Sequence, residues 1–233
     1  MLNYINFRQV NKLKKNKNVI IYRSASIDLY SKEDFEFILN EHNIKYWLDI
    51  RSFNEINYNK IIQSDIVHYF PLISDDIYKL PKIPNSENYF QYYIAILENN
   101  SCIIKDIFLY LSNLSGDGNV SISCYAGKDR TGIISYLLQK ILDYDVIYIK
   151  NNYIKSSEDL YNNRNFFYKS SIKKGLTIEE YSQRFLICKA IFDIFDNYFF
   201  NKFFSINNYF NSIGIDDSVL TRLKKIYGEK DGL

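Results

Sequence analysis

The chain of 233 residues is poor in several residue types. Its three cysteines are an odd number without paired spacing, which argues against a disulfide framework and favours a reducing compartment. Its two histidines, His42 and His68, lie far apart without ligand-like neighbours, so we expect no metal site and no cofactor. No stretch is rich in proline or glycine, and no internal repeat is visible. We therefore expect one domain over residues 1–233.

Charge and hydropathy exclude two further classes of protein. The net charge of +2 argues against a nucleic-acid binder, which normally carries a strong basic excess. No run of eighteen apolar residues is present, so we expect no membrane span. Residues 1–8 lack the basic and apolar regions of a signal peptide. The sequence thus predicts a cytoplasmic protein and leaves its oligomeric state open.

Apolar residues make up 47% of the chain, which is ample for a core. Short apolar runs at residues 19–23, 44–50, 66–70 and 119–123 predict strands, and helical patterns alternate with them. The alternation predicts an α/β fold with a central, mainly parallel sheet flanked by helices. Residues 145–233 are mainly helical in pattern and are interpreted as a helical extension or lid. The predicted helices cover residues 31–39, 85–99, 103–114, 133–142, 146–160, 179–200, 207–213 and 218–227.

The most informative stretch begins where the last predicted strand ends, at Cys124. Five residues intervene before Arg130, which opens a predicted helix. N–H groups of such a loop can turn inward as a nest for an anion, and the helix N-terminus adds partial positive charge. Arg130 can hold two phosphate oxygens, and the same positive cup favours the thiolate of Cys124. The Cys-x5-Arg spacing alone is weak evidence, but Gly127, Thr131 and Gly132 sharpen it. The alternative is a buried structural cysteine.

The segment CYAGKDRTG, residues 124–132, resembles the signature loop of cysteine-dependent protein tyrosine phosphatases. Its Lys-Asp pair resembles the atypical bacterial tyrosine and lipid phosphatase branch. That branch usually has histidine where this chain has Ser123, and Asp-Leu-Gly-Gly where this chain has residues 9–11. Further segments that resemble the branch are Asn6–Arg8, Tyr22–Ser24, Asp49–Ser52 with Glu55, and Tyr209–Leu223.

The resemblance implies a phosphatase-like fold and a phospho-cysteine intermediate. Cys124 would attack phosphorus, while Arg130 and the loop amides hold the phosphate oxygens. Thr131 would donate its hydroxyl to the sulfur, unless it only caps the helix. The predicted phosphate-binding residues are Tyr125, Ala126, Gly127, Lys128, Asp129, Arg130 and Thr131.

The leaving group needs a proton, and Asp129 is the first candidate for its donor. An ionised carboxylate beside a thiolate and a phosphate is penalised, so this side chain could hold a proton near neutral pH. In the resembling branch the loop aspartate is the suspected acid. Asp75 and Asp76, in the loop after the third predicted strand, are the alternatives. Asp49 and Arg51 are interpreted as a brace for the loop from the neighbouring strand.

The leading hypothesis is a phosphatase that acts on phosphotyrosine in proteins, with phosphoserine or phosphothreonine as further substrates. Lys128, expected at the rim of the cup, would suit phosphoinositides or other molecules with several phosphates. A non-catalytic module that binds phosphorylated ligands is a second class, which Ser123 favours. A third is sulfur transfer or arsenate reduction, for which Cys102 and Cys188 are the only further cysteines.

Overall fold

The computed structural model describes residues 4–12, 19–56, 64–72, 80–81, 85–168, 175–186 and 188–228. Within these ranges, five strands form one sheet in the order β1-β2-β5-β3-β4. The first pair is antiparallel and the other pairs are parallel, which confirms the predicted α/β fold with a mainly parallel sheet. The strands are β1 (Arg8–Gln9), β2 (Ile21–Ser24), β3 (Ile44–Asp49), β4 (Val67–Tyr69) and β5 (Asn119–Ser123).

Helices flank the sheet and make up most of the described chain after β5. No helix in these ranges has the length and apolar character that a membrane span requires. Short 3₁₀ turns lie at Ile27–Leu29 and Phe53–Glu55. The helices are α1 (Lys32–Glu41), α2 (Ser86–Asn99), α3 (Ser101–Ser112), α4 (Asp129–Ile141), α5 (Val146–Asn162), α6 (Arg164–Tyr168), α7 (Ile178–Leu186), α8 (Cys188–Phe203), α9 (Ile206–Ser212) and α10 (Asp217–Tyr227).

The register of the parallel strands determines where the candidate loop lies. Strand β5 pairs with β2 on one side and with β3 on the other, and Ser123 is opposite both Ser24 and Asp49. The carboxyl ends of the three strands are therefore level. Cys124 follows Ser123 directly, so the loop starts in the middle of this edge, where ligand sites of parallel sheets form.

The predicted C-terminal helical region is confirmed, and most of it shares the core with the sheet. Phe192, Phe195 and Leu223, on α8 and α10, are buried in the same apolar cluster as Val120 and Ile122 of β5. A second cluster joins α5, α6 and α7 to the segments around β2, and Ala126 of the loop packs against it. Helices α8 to α10 therefore stabilise the layer that carries the loop.

Candidate active site

Four consecutive carbonyl groups of the loop, those of residues 125–128, accept hydrogen bonds from neighbouring segments. In a trans peptide the N–H points away from the carbonyl, and no peptide in the described chain is cis. The N–H groups of residues 126–129 therefore face the interior of the loop, as in an anion-binding nest. The bonds are Ser26 N to Tyr125 O at 3.0 Å, Asn6 Nδ2 to Ala126 O at 2.9 Å, and Arg23 Nη2 to Gly127 O at 2.8 Å and to Lys128 O at 3.2 Å.

Cys124 is a free cysteine at the base of this loop, and its side chain is buried. The hydroxyl of Ser123, just before it, accepts a hydrogen bond of 2.8 Å from Nε1 of Trp47. Trp47 is on β3, so this bond links the last residue of β5 to its neighbouring strand. Where the resembling family usually has histidine, this chain therefore has a hydroxyl that is already bonded to an indole.

The guanidinium of Arg130 is buried against Glu55. Nη2 donates to Oε1 at 2.7 Å and Nη1 donates to Oε2, while Glu55 also accepts from the N–H and hydroxyl of Ser52 at 3.0 and 2.8 Å. Burial opposes the charge of Arg130, but the bonds to Glu55 raise the pKa of the guanidinium above its ordinary value. Burial likewise tends to raise the pKa of Glu55, but the bonds to Arg130 hold it below the usual range. Both groups are therefore charged at neutral pH.

Three buried polar atoms beside the loop have no hydrogen-bond partner among the described residues. They are Nε of Arg130, the hydroxyl oxygen of Thr131 and that of Tyr92. Burial raises the pKa of Tyr92, and the next residue, Tyr93, donates a hydrogen bond to Asp129 of the loop. Buried polar groups are normally paired. Three unpaired ones around an amide nest indicate a site for a polar ligand.

Lys128 and Asp129 directly precede Arg130 in the loop. Lys128 is only 2% exposed, although we expected it at the rim. Its ammonium donates to Arg184 O at 3.1 Å, lies 3.4 Å from Oδ1 of Asp129 and sits over the ring of Tyr89. The carbonyl, the carboxylate and the ring together compensate the burial of the charge.

A comparison with family models supplies the assignment. A model described as a tyrosine phosphatase family matches residues 1–229, which include every residue of the site. The chain belongs to the tyrosine phosphatase family. The resemblance inferred from the loop is thereby confirmed, and a phosphatase activity follows at the level of the family. A comparison with curated proteins gives no match.

Asp49 and Arg51 form part of an ion-pair network at the back of the tyrosine phosphatase site. Nη2 of Arg51 donates to Oδ2 of Asp49 at 2.6 Å, and Nη1 donates to Oδ2 of Asp28 at 2.5 Å. Asp28 belongs to the 3₁₀ turn next to Ser26, whose N–H holds a loop carbonyl. The pair therefore reaches the loop through this turn. The other candidate acids, Asp75 and Asp76, lie outside the described residues.

The structure of this phosphatase-family chain also adds residues to which sequence reasoning gave no role. Asn6 and Arg23 hold the loop carbonyls, and Glu55 holds Arg130. The signal for Glu55 was present, because Ser-x-x-Glu is the spacing of a capping box. Tyr92 and Tyr93 of α2, which lie beside the loop, stand in an ordinary helical pattern without such a signal.

Gly127 adopts a positive φ of 67°, and a Cβ there would come within 2.2 Å of the carbonyl oxygen of Ser24. We expect Gly127→Ala to distort the nest and to lower the affinity for inorganic phosphate about tenfold or more, in line with the cost of such strain. Competitive inhibition by phosphate measures this. Gly175→Ala is the matched control, since Gly175 has the same φ but nothing within 4 Å of its Cβ position. Equal effects of the two variants would contradict the steric argument.

Proposed function

We propose that this chain is a cysteine-dependent phosphomonoesterase that hydrolyses phosphotyrosine through a phospho-cysteine intermediate. The observation that carries the proposal is the outward bonding of four consecutive carbonyls, which turns the N–H groups of residues 126–129 inward between Cys124 and Arg130. A phosphoryl group in this nest would meet the sulfur on one side. The unpaired Nε of Arg130 supports the same reading.

In the first step the thiolate of Cys124 attacks phosphorus, the S–P bond forms and the P–O bond to the leaving group breaks. The amides of residues 126–129 and Arg130 bind the equatorial oxygens, whose charge they stabilise as the transition state forms. Asp129 donates a proton to the leaving oxygen. Its side chain is 19% exposed, so a substrate can reach it from solvent.

In the second step water attacks phosphorus, the S–P bond breaks, and Asp129 takes the proton that the water loses. Inorganic phosphate is the product. The sulfur leaves as a thiolate, which a hydrogen bond from Thr131 would stabilise. The hydroxyl of Thr131 is available for this role, because it is buried and bonds to no other described residue.

Two features favour an aromatic monophosphate over a molecule with several phosphates. Lys128 is buried among protein groups and is not at the rim of the cup, so it offers no second phosphate site in this arrangement. Tyr125, next to Cys124, and Phe53, close to Glu55, are 37% and 57% exposed. Exposed aromatic rings beside the cup can pack against the ring of a phosphotyrosine.

The experiment is phosphate release by the full chain from p-nitrophenyl phosphate, a phosphotyrosine peptide, a phosphoserine peptide and vesicles with phosphoinositides. We expect turnover of the first two and inhibition by orthovanadate. Binding of the phosphotyrosine peptide without turnover would overturn the proposal in favour of a binding module. Faster phosphate release from the phosphoinositide vesicles than from the phosphotyrosine peptide would overturn the proposed substrate class.

The same assay tests redox chemistry. Cys102 is exposed and away from the loop sequence. We expect Cys102→Ser and Cys188→Ser to keep their turnover, since hydrolysis needs no resolving thiol. Loss of turnover in either variant would instead indicate a second cysteine in the reaction.

A further inference from the structure

Two tyrosines from separate helices meet the carboxylate of Asp129. Tyr93 of α2 donates its hydroxyl to Oδ1 of Asp129 at 2.5 Å, and the hydroxyl of Tyr153 of α5 is hydrogen-bonded to that of Tyr93. Both tyrosines are at least 95% buried, whereas the side chain of Asp129 is 19% exposed. Asp129 is thus reached by solvent on one side and by a buried hydroxyl pair on the other.

The two oxygens of Asp129 have different surroundings. Oδ1 accepts from Tyr93 and lies 3.4 Å from the ammonium of Lys128. Oδ2 accepts no hydrogen bond from the part of the chain that the structure describes. A proton on Oδ1 would face two hydrogen-bond donors, the hydroxyl of Tyr93 and the ammonium of Lys128. A proton on Oδ2 would face neither of these donors. The acidic proton of Asp129 therefore belongs on Oδ2.

The tyrosine pair is rigidly packed. The ring of Tyr153 meets the ring of Tyr93 edge-on at 6.3 Å, and Phe195 of α8 packs against Tyr93 at 5.8 Å. A Cβ on Gly132 would come within 3.1 Å of the Tyr153 ring. Gly132, the second glycine of the loop signature, thus makes room for the ring of Tyr153. A larger residue at this position would displace the tyrosine pair.

We propose that Tyr93, supported by Tyr153, is a positioning residue that orients Asp129 and directs its proton to Oδ2. The inference rests on the proposed function, in which Asp129 is the acid. In the first step the Oδ2 proton passes to the leaving oxygen, and in the second Oδ2 takes a proton from the attacking water. Tyr93 donates to Oδ1 in both steps, and Tyr153 donates to Tyr93, so the carboxyl group keeps one orientation throughout.

Tyr93→Phe tests this with two substrates that differ in their need for an acid. For phenyl phosphate, a poor leaving group, we expect kcat/KM to fall about tenfold, a part of the 10²- to 10⁴-fold that a positioned acid supplies. For 2,4-dinitrophenyl phosphate, a good leaving group, the change should stay below about twofold, because its leaving group needs no proton. Tyr153→Phe should give a smaller loss with the same selectivity.

Tyr136→Phe is the matched control. Tyr136 is also buried, and it donates to a carboxylate, that of Asp196, at 2.8 Å in the same core. Removal of the Tyr136 hydroxyl should leave kcat/KM for both substrates unchanged. The midpoints of thermal unfolding of the two variants should agree within about a few degrees. If Tyr93→Phe does not fold, Tyr153→Phe carries the test.

Asp129→Asn completes the design. It should reduce kcat/KM for phenyl phosphate more than Tyr93→Phe does, and the double variant should show no loss beyond that of Asp129→Asn alone. Additive losses, or a Tyr93→Phe variant that behaves like Tyr136→Phe, would overturn the inference while leaving the proposed function intact. A wild-type chain without turnover, or an Asp129→Asn variant that slows both substrates equally, would overturn the acid assignment and the inference with it.

Discussion

Cys124→Ser is expected to abolish phosphate release while the loop still binds phosphate. The serine hydroxyl stays protonated at neutral pH, so the nucleophile is lost, and turnover should fall by about 10⁴-fold or more. The groups proposed to bind the phosphoryl oxygens are the amides of residues 126–129 and Arg130, none of which changes. Phosphate release from p-nitrophenyl phosphate measures the first effect, and calorimetric titration with a phosphotyrosine peptide measures the second.

The two readouts of Cys124→Ser are informative together. Retained peptide binding would show that the loop has kept its shape. The loss of turnover would then be due to removal of the Cys124 sulfur. Cys102→Ser is the control for removing a cysteine, because Cys102 is exposed on α3. The expected fall in turnover is about 10⁴-fold. A Cys124→Ser variant that kept about a tenth or more of the wild-type rate would therefore exclude a phospho-cysteine intermediate.

Arg130→Lys is expected to lose both binding and rate. A lysine keeps the charge but has no planar fork, so it cannot bond both oxygens of Glu55 and also present N–H groups to the phosphate. The loss should be about 10²- to 10³-fold in kcat/KM, as for the removal of one group that stabilises charge in a transition state. The affinity for orthovanadate should fall in parallel. Steady-state kinetics and vanadate inhibition give the two values.

Arg222→Lys is the matched control for Arg130→Lys. Arg222 is an exposed arginine of α10 and should tolerate the same exchange without change in kcat/KM. A lysine at position 130 that kept wild-type affinity for vanadate would show that the positive charge alone suffices. The bidentate role of the guanidinium would then be wrong.

Local patterns were sufficient to predict the sheet and the position of the loop. The apolar run before Cys124 and the helical pattern after Arg130 indicate a strand, a turn and a helix, and the structure has β5 and α4 there. Ser31, the predicted start of α1, does accept a hydrogen bond from Asp34 N. Such features depend on neighbouring residues, which a sequence presents directly.

The groups that shape the site come from distant parts of the chain. Asn6 is 120 residues from Ala126, and Arg23 is 104 residues from Gly127. A helical pattern shows that Tyr93 is on a buried face but not that it contacts Asp129. Lys128 was expected at the rim, but it is buried, which lysines rarely are without a partner. Its partners, such as the carbonyl of Arg184, could not be read from local spacing.

The bonds from Asn6, Arg23 and Ser26 to the loop carbonyls join the loop to other segments of the same chain, so they form as the chain folds. The entropy of ordering the loop is therefore lost when the chain folds and not when a ligand arrives. A loop that is ordered in advance discriminates between ligands by their size and charge and not through induced fit. Other tetrahedral oxyanions, such as sulfate and arsenate, should consequently compete for the same position, and the cellular concentration of free phosphate would set how much of the protein is available for substrate.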